Sequence, residues 1–416
     1  MDPSRYLAIA LPIVLILILL EFIISKIKRK DTYTFSDTIA NLCCGILERL
    51  FDTFFVILLY FAFDYIQLYI TPFHIPETIG TWFIALIFAD FLAYWHHRLS
   101  HEINFMWAAH GVHHQSEELN MTTVFRVSAL AVLDRAFFFI WLPVVGFTSA
   151  FSISAIVFIG LYQFLTHTRL MGKLGILEYI FVTPSHHRVH HATNPKYIDK
   201  NYGHVFIIWD KLFGTFVPET EEPFYGIING FNRSNTFSAY FAYWKSMFQK
   251  SRATHNLKHK FILFFKPPGW LPEGVQPDPP VYQTDANGKR IKYRPKVAKG
   301  LQWYIGINAI ITLLGFYFLS SHRLDFSVIN LIVAVVFVIL SVGSIGFMLE
   351  KNKQVIGYEY ARLLLITICA VVNLFKAYHI LLIIILVSAI IMVVIFNRVI
   401  IRKYFSEKDG VLLVQK

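Results

Sequence analysis

The chain alternates long apolar runs with shorter polar, basic stretches, and several runs have the length of membrane helices. Tyr6 to Ser25 is almost unbroken Ala, Ile, Leu, Val and Phe, and KIKRK follows at Lys26 to Lys30. About twenty such residues cross a bilayer as a helix, and a basic cluster marks the cytoplasmic end. A cleavable signal peptide is the competing reading, but its basic residues would precede the run and a small-residue cleavage site would follow it. Phe51 to Phe63 forms the core of a second span and Thr81 to Trp95 a third, joined by a loop with Pro72 and Pro76 but no Lys or Arg. That loop is expected on the outer side, opposite the basic face of the membrane.

Between Arg135 and Arg169 there is again no Lys or Arg, and Phe137 to Leu165 is almost wholly apolar, with Pro143 and Gly146 in its first half. This predicts a hairpin that dips into or crosses the bilayer and returns His167 to the basic side. Residues 168 to 300 are polar, basic and turn-rich. Four further apolar stretches follow: Trp303 to Leu319, Phe326 to Phe347, about Tyr358 to Val372, and Ile380 to Phe396. Lys351, Lys353, Arg398, Arg402 and Lys403 mark inner ends. The pattern predicts an all-α, multispan helical membrane protein with a cytoplasm-facing histidine-rich cap. Its expected parts are an N-terminal transmembrane region (1–80), a catalytic core (81–220), a polar cytoplasmic segment (221–300) and a C-terminal transmembrane bundle (301–416).

Composition agrees, with 56% hydrophobic and 17% aromatic residues and a mean hydropathy of +0.52, too apolar for an ordinary soluble domain. The net charge of +11 does not point to nucleic acid, because many of the basic residues flank apolar segments and positive-inside topology accounts for them. Cys43 and Cys44 are adjacent and Cys369 is remote in sequence, so neither a disulfide framework nor a cysteine metal site is indicated. No nucleotide-binding glycine loop and no Ser/His/Asp arrangement stands out.

The chemistry lies in the histidines. Trp95 to His114 reads WHHRLSHEINFMWAAHGVHH and holds His97 and His101 four apart, then His110, His113 and His114 at i, i+3 and i+4. SHHRVHH repeats that spacing at His187, His190 and His191. On helices each set projects from one face, and neutral imidazole is a common ligand of first-row transition metals. Eight ligands exceed the needs of one ion, so two metals about 3.5 to 4 Å apart are expected. A histidine-rich surface without catalysis is the bland alternative. His167, one turn after Gln163, is a further candidate ligand, with His204 behind it. His96 and His186 adjoin ligands but point about 100° away. His255 and His259 stand among Arg252, Lys258 and Lys260 and read as a solvated basic face. His74, His322 and His379 lack companions at ligand spacing.

Asp90, Tyr94, His97 and His101 share one helical face, so a histidine is the expected partner for Asp90 within its span. Asp90, Gln163, Asn120 and Asn201 are candidates to orient ligand rings. For Asn201 and Asp210 a turn or cap role is equally open. A metal transporter is a different class, but transporters place ligands within spans near the midplane, whereas these boxes cluster at span ends.

HRLSH, HGVHH and HHRVHH, followed by NYGHVFIIWDKLFGTF at Asn201 to Phe216, resemble the boxes of the fatty acid hydroxylase and sterol desaturase superfamily over about residues 85 to 220. HHQSEELNMTT, TPSHHRVHH, IDKNYG and FKPPGWLPEG, with the C-terminal extension, are more similar to its alkylglycerol monooxygenase branch. The resemblance implies a di-iron site, dioxygen as co-substrate and tetrahydrobiopterin as electron donor. It also implies hydroxylation of the ether-linked carbon of a glyceryl ether lipid taken from the bilayer, giving a fatty aldehyde and a glycerol derivative. In that branch a glutamate directly after the first box is tied to pterin use, and Glu102 stands there; from chemistry alone it is an exposed carboxylate. The alternative within the superfamily is a sterol or fatty-acyl hydroxylase or desaturase fed by a reductase. The expected location is the endoplasmic reticulum membrane in a eukaryote or the inner membrane in a bacterium, and a homodimer is left open.

Overall fold

The structure is a computed structural model that describes residues 3–229, 233–280, 283–284, 290–292, 295, 297–322, 326–373, 391, 400–401 and 404–405. The predicted span Ile380 to Phe396, His379 and the basic residues Arg398, Arg402 and Lys403 lie outside the described residues, apart from Ile391. The described chain is helical, and its strands are two residues each: β1 (Gln283–Thr284) pairs antiparallel with β2 (Arg290–Ile291). In order the first helices are α1 (Pro3–Ile27), α2 (Phe35–Tyr69), α3 (Ile79–Glu102), α4 (Asn104–His114), α5 (Ala131–Phe139), α6 (Trp141–Val144) and α7 (Ser149–Thr166). They are followed by α8 (Pro184–His190), α9 (Ile208–Leu212), α10 (Thr236–Ala253), α11 (Leu257–Ile262), α12 (Lys299–His322), α13 (Val328–Leu349) and α14 (Val355–Asn373). Among the described residues α3, α7, α12 and α13 are long and apolar enough to cross a membrane.

The chain divides into two compact units, residues 13–232 with 239–293, and residues 1–12 and 233–238 with 294–416. In the larger unit α3 starts at a capping box, where Thr78 Oγ1 accepts from Thr81 N at 3.2 Å and Thr81 Oγ1 accepts from Thr78 N at 2.9 Å. This satisfies two amides that the first helical turn leaves open. Ala85, Ala89 and Ala93 follow at steps of four along α3 and are buried with Ala155 and Ile159 of α7, Phe63 of α2, and Phe139 and Leu142. Small side chains let backbones approach where water supplies no driving force. The apolar run from 137 is not a symmetric hairpin: α5 and α6 are short, Gly146 turns the chain at φ 104°, and α7 alone has span length.

In the smaller unit α12, α13 and α14 bury a polar knot. Glu359 accepts from Ser344 Oγ and from Tyr304 Oη (3.0 Å), and Arg362 Nη2 reaches both Glu359 Oε2 (3.2 Å) and Asn308 Oδ1 (2.6 Å). Ionisable groups inside a bundle pair with one another and with polar neighbours in this way.

Candidate metal centre

His97 and His101 lie one turn apart at the C-terminal end of α3. Ile103 breaks the helix with extended backbone (φ −122°, ψ 122°) and α4 begins at Asn104. Trp107 of α4 packs on His101 and His114 with ring centroids 5.0 and 5.5 Å apart. Gly111 is required beside it, because a Cβ there would lie 2.9 Å from the indole. The third box forms α8, which Pro184 starts with a preset φ and no amide to lose. Arg188 fixes α8 by a double ion pair to Glu219 (2.8 and 2.6 Å) and by donating from Nη1 to the carbonyls of Met171 (2.7 Å) and Thr168 (3.2 Å).

These elements bring nine histidines into two groups. The first comprises His97, His101, His110, His114 and His190, the second His113, His167, His187 and His191, and within each group the ligand-capable atoms lie within 4.8 Å of one another. The groups adjoin, for the rings of His114 and His191 stack with centroids 4.5 Å apart.

The Nε2 atoms converge. Those of His97 and His114 each lie 3.1 Å from that of His110, and the chain His113, His167, His187, His191 steps at 3.1, 2.9 and 3.0 Å. Two ligands at right angles on an ion, each at about 2.1 Å, stand about 3.0 Å apart. Without an ion the arrangement is poor. His97 Nδ1 donates to Tyr202 O at 2.8 Å and His167 Nδ1 to Gln163 O at 2.7 Å, so in the neutral ring each Nε2 carries a bare lone pair. His101 Nε2 and His190 Nε2 are buried without any hydrogen-bond partner. Protonation does not relieve this: burial first, then neighbouring imidazoles, push His110, His114, His187, His190 and His191 well below 6.5. Burial also lowers His167 to about 4. Buried, neutral lone pairs facing one another fit cations.

The rings are oriented by groups that the sequence reading did not single out. The turn Asp199 to Tyr202 backs three members of the first group: Asp199 Oδ1 lies 3.3 Å from His101 Nδ1, Lys200 O accepts from His190 Nδ1 at 3.1 Å, and Tyr202 O accepts from His97 Nδ1. Asp199 and Asn201 both adopt positive φ, 57° and 56°, a region where Asn and Asp are the better-tolerated L residues. Asn201 earns its place as a turn residue, donating from Nδ2 to the carbonyls of Val217 (2.8 Å) and His186 (3.2 Å). Asp210 accepts from the amides of Tyr202 (2.7 Å) and Gly203 (2.8 Å) and from Thr215 Oγ1 (2.7 Å). A Cβ on Gly203 would lie 2.7 Å from Phe206 O. Arg126 is the other unforeseen residue. Buried at 1% exposure, it donates to Val112 O (3.1 Å), Asn41 Oδ1 (3.2 Å) and Gln115 Oε1 (3.1 Å), tying down the end of α4.

Other candidates stand elsewhere. The carboxylate of Asp90 meets no histidine; it accepts from Val205 N (2.8 Å), Phe206 N (3.0 Å) and Trp209 Nε1 (2.9 Å). Asn120 donates to Thr32 O and accepts from Thr122, away from the rings. Gln163 orients His167 through its backbone carbonyl, while its side chain donates to His204 O. His204 is outside both groups, with its ring 4.9 Å from His97. His96 faces Asp134 at 3.4 Å and His186 lies edge-on to Phe216. The Glu102 side chain is 42% exposed and pairs with Arg98 at 2.9 Å.

The fatty acid hydroxylase family matches residues 82–215, which hold all nine histidines. The chain is 34% identical over 366 residues to alkylglycerol monooxygenase of Homo sapiens, covering 86% of this chain and 81% of the relative. It is 33% identical to that of Xenopus tropicalis, covering 88% and 82%. Ornithine lipid hydroxylase OlsE of Rhizobium tropici is 33% identical over 139 residues, 32% of this chain and 40% of its own. No solved structure matches. A likeness that spans four-fifths of each of these two monooxygenases, together with the paired histidine groups, shows that this chain belongs to the alkylglycerol monooxygenase family.

Proposed function

We propose that the chain is a membrane di-iron monooxygenase that hydroxylates the ether-linked carbon of glyceryl ether lipids. The hydroxylated carbon is a hemiacetal and collapses to a fatty aldehyde and a glycerol derivative. One atom of dioxygen enters the C–H bond and the other leaves as water, with two electrons supplied by a tetrahydropterin. The observation that carries this reading is the convergence of nine histidines, all but the half-buried His110 fully buried, on two adjoining points. Bound there, iron would supply the oxygen-activating chemistry, while the protein supplies position and water exclusion. His97, His101, His110, His114 and His190 would hold one ion and His113, His167, His187 and His191 the other. The Nδ1 contacts of His97, His101, His190 and His167 keep their Nε2 atoms aimed inward.

Glu102 is assigned to the pterin. It follows the ligand His101 yet turns outward, half exposed, with Arg98 as its ion-pair partner, so its carboxylate is open to the N–H groups of a reduced pterin. Purified protein should contain two iron ions per chain and oxidise a glyceryl ether with tetrahydropterin. Turnover only with a cytochrome-type reductase would assign it to sterol or fatty-acyl hydroxylation instead. Glu102→Gln should keep its metal but lose a charge-assisted bond worth about 1.5 to 3 kcal/mol, or about ten- to a hundredfold in apparent pterin affinity. An unchanged pterin titration at saturating ether lipid would reject that role.

A further inference from the structure

Met171–Ile180, MGKLGILEYI, lies beyond the spans predicted from the sequence, in a region that reads as polar. Yet Ile176 is 80% exposed and Tyr179 72%, and Leu174, Leu177 and Ile180 are exposed as well. The patch continues onto α9, where Leu212 is 67% exposed. The two segments are joined: Ile207 N donates to Ile180 O at 3.0 Å, Lys211 Nζ donates to Tyr179 O at 2.8 Å, and Phe181 bridges to Phe206. A contiguous apolar surface of this kind marks a protein or membrane contact.

Depth distinguishes them. Asp90 lies within α3, eight residues before Arg98, which at 1.5 Å per residue is about 12 Å toward the membrane interior. Its carboxylate holds Phe206 N and the Trp209 indole. The 205–212 segment therefore lies alongside the membrane-crossing part of α3, not past its end. The same region meets the membrane-length helix α7, for Tyr162 of α7 donates to Val182 O at 2.7 Å and Gln163 to His204 O at 2.5 Å. Charge agrees with depth. Lys30, at the basic end of α1, reaches Arg169 O at 3.3 Å, Lys173 and Lys211 are exposed, and Lys211 lies 5.2 Å from the Tyr179 ring. Basic residues beside aromatic and aliphatic ones suit the border between lipid phosphates and acyl chains. Backbone groups there are supplied internally, as a bilayer requires: Phe181 N meets Leu177 O at 2.8 Å and Val182 N meets Val205 O at 2.8 Å.

We propose that residues 174–180, with Ile208 and Leu212, form a re-entrant collar seated at the headgroup–acyl boundary of the leaflet on the basic side, with Lys173 and Lys211 at lipid phosphates. The collar leads through residues 181–183 into α8, and Arg188 of α8 holds the carbonyl of Met171, three residues before the collar. The test places tryptophan at Tyr179→Trp and Ile176→Trp in the full chain, reconstituted into vesicles whose acyl chains are brominated near the headgroup. The emission added over wild type should be mostly quenched. At Glu222→Trp, whose side chain is 78% exposed, the added emission should survive. Survival at all three positions overturns the proposal, and emission at 176 and 179 that shifts with protein density instead assigns the patch to a second copy of the chain. Both exposed sites tolerate the substitution sterically, and agreement between them guards against a local distortion at either.

Discussion

The two histidine groups differ in how their rings are held. In the first, the turn Asp199 to Tyr202 stands behind His97, His101 and His190. In the second, His167 has the Gln163 carbonyl behind it, whereas His187 Nδ1 is buried without a partner. The first group also offers five nitrogens against four. Ligands fixed before the metal arrives lose less freedom on binding it, and groups behind the ligands commonly account for ten- to a hundredfold in affinity. The comparison describes a rigid site beside a more adjustable one.

The largest effect expected is from removing a ligand. His190→Ala in the first group and His113→Ala in the second should each lower bound metal and abolish turnover. Full activity and metal content in either variant would break the two-site reading. Asp210→Ala asks for less. It takes away the acceptor for Tyr202 N and Gly203 N, at about 1 to 3 kcal/mol for each buried group left unpaired, and loosens the turn behind the first group alone. Metal affinity should fall about ten- to a hundredfold at one site and stay unchanged at the other; equal loss at both would show that the turn does not separate them. Chelator titration sharpens the contrast without mutation, because the ion in the four-nitrogen group should leave first, giving two resolved steps by metal analysis. A single step would erase the difference. The smallest effect is His74→Ala, in the loop between α2 and α3 with Gln67 as its neighbour, which should leave metal content and turnover unchanged.

The grouping of nine histidines was legible because i, i+3 and i+4 spacing puts side chains on one helical face, and even His167 announces itself one turn after Gln163. The groups behind the rings were not legible. Lys200 and Tyr202 act through carbonyl oxygens, which every residue possesses, so their identity carries no signal. Asp90 shows the limit from the other side. Its helical face suggested a histidine partner two turns away, but its oxygens are taken by amides that lie 115 and 116 positions downstream. Arg126 carries no periodic mark in the sequence and is a buried clamp on α4. Hydrophobic length marked α3, α7, α12 and α13, the helices long and apolar enough among the described residues to cross a membrane; it missed the apolar segment 171–180, whose ten residues are too few to register as a crossing.

The contact between His97 and Tyr202 spans 105 positions, and this bears on biogenesis. Two spans, α3 and α7, must be placed in the bilayer and the chain must be extended past residue 202 before the first group has its backing. Until then the imidazoles of the first two boxes are solvated, protonatable and free to bind stray ions singly. On the proposed metal assignment, loading would follow the membrane insertion of α3 and α7, and a chain truncated between His191 and Tyr202 would keep all nine histidines but lack the Tyr202 carbonyl behind His97.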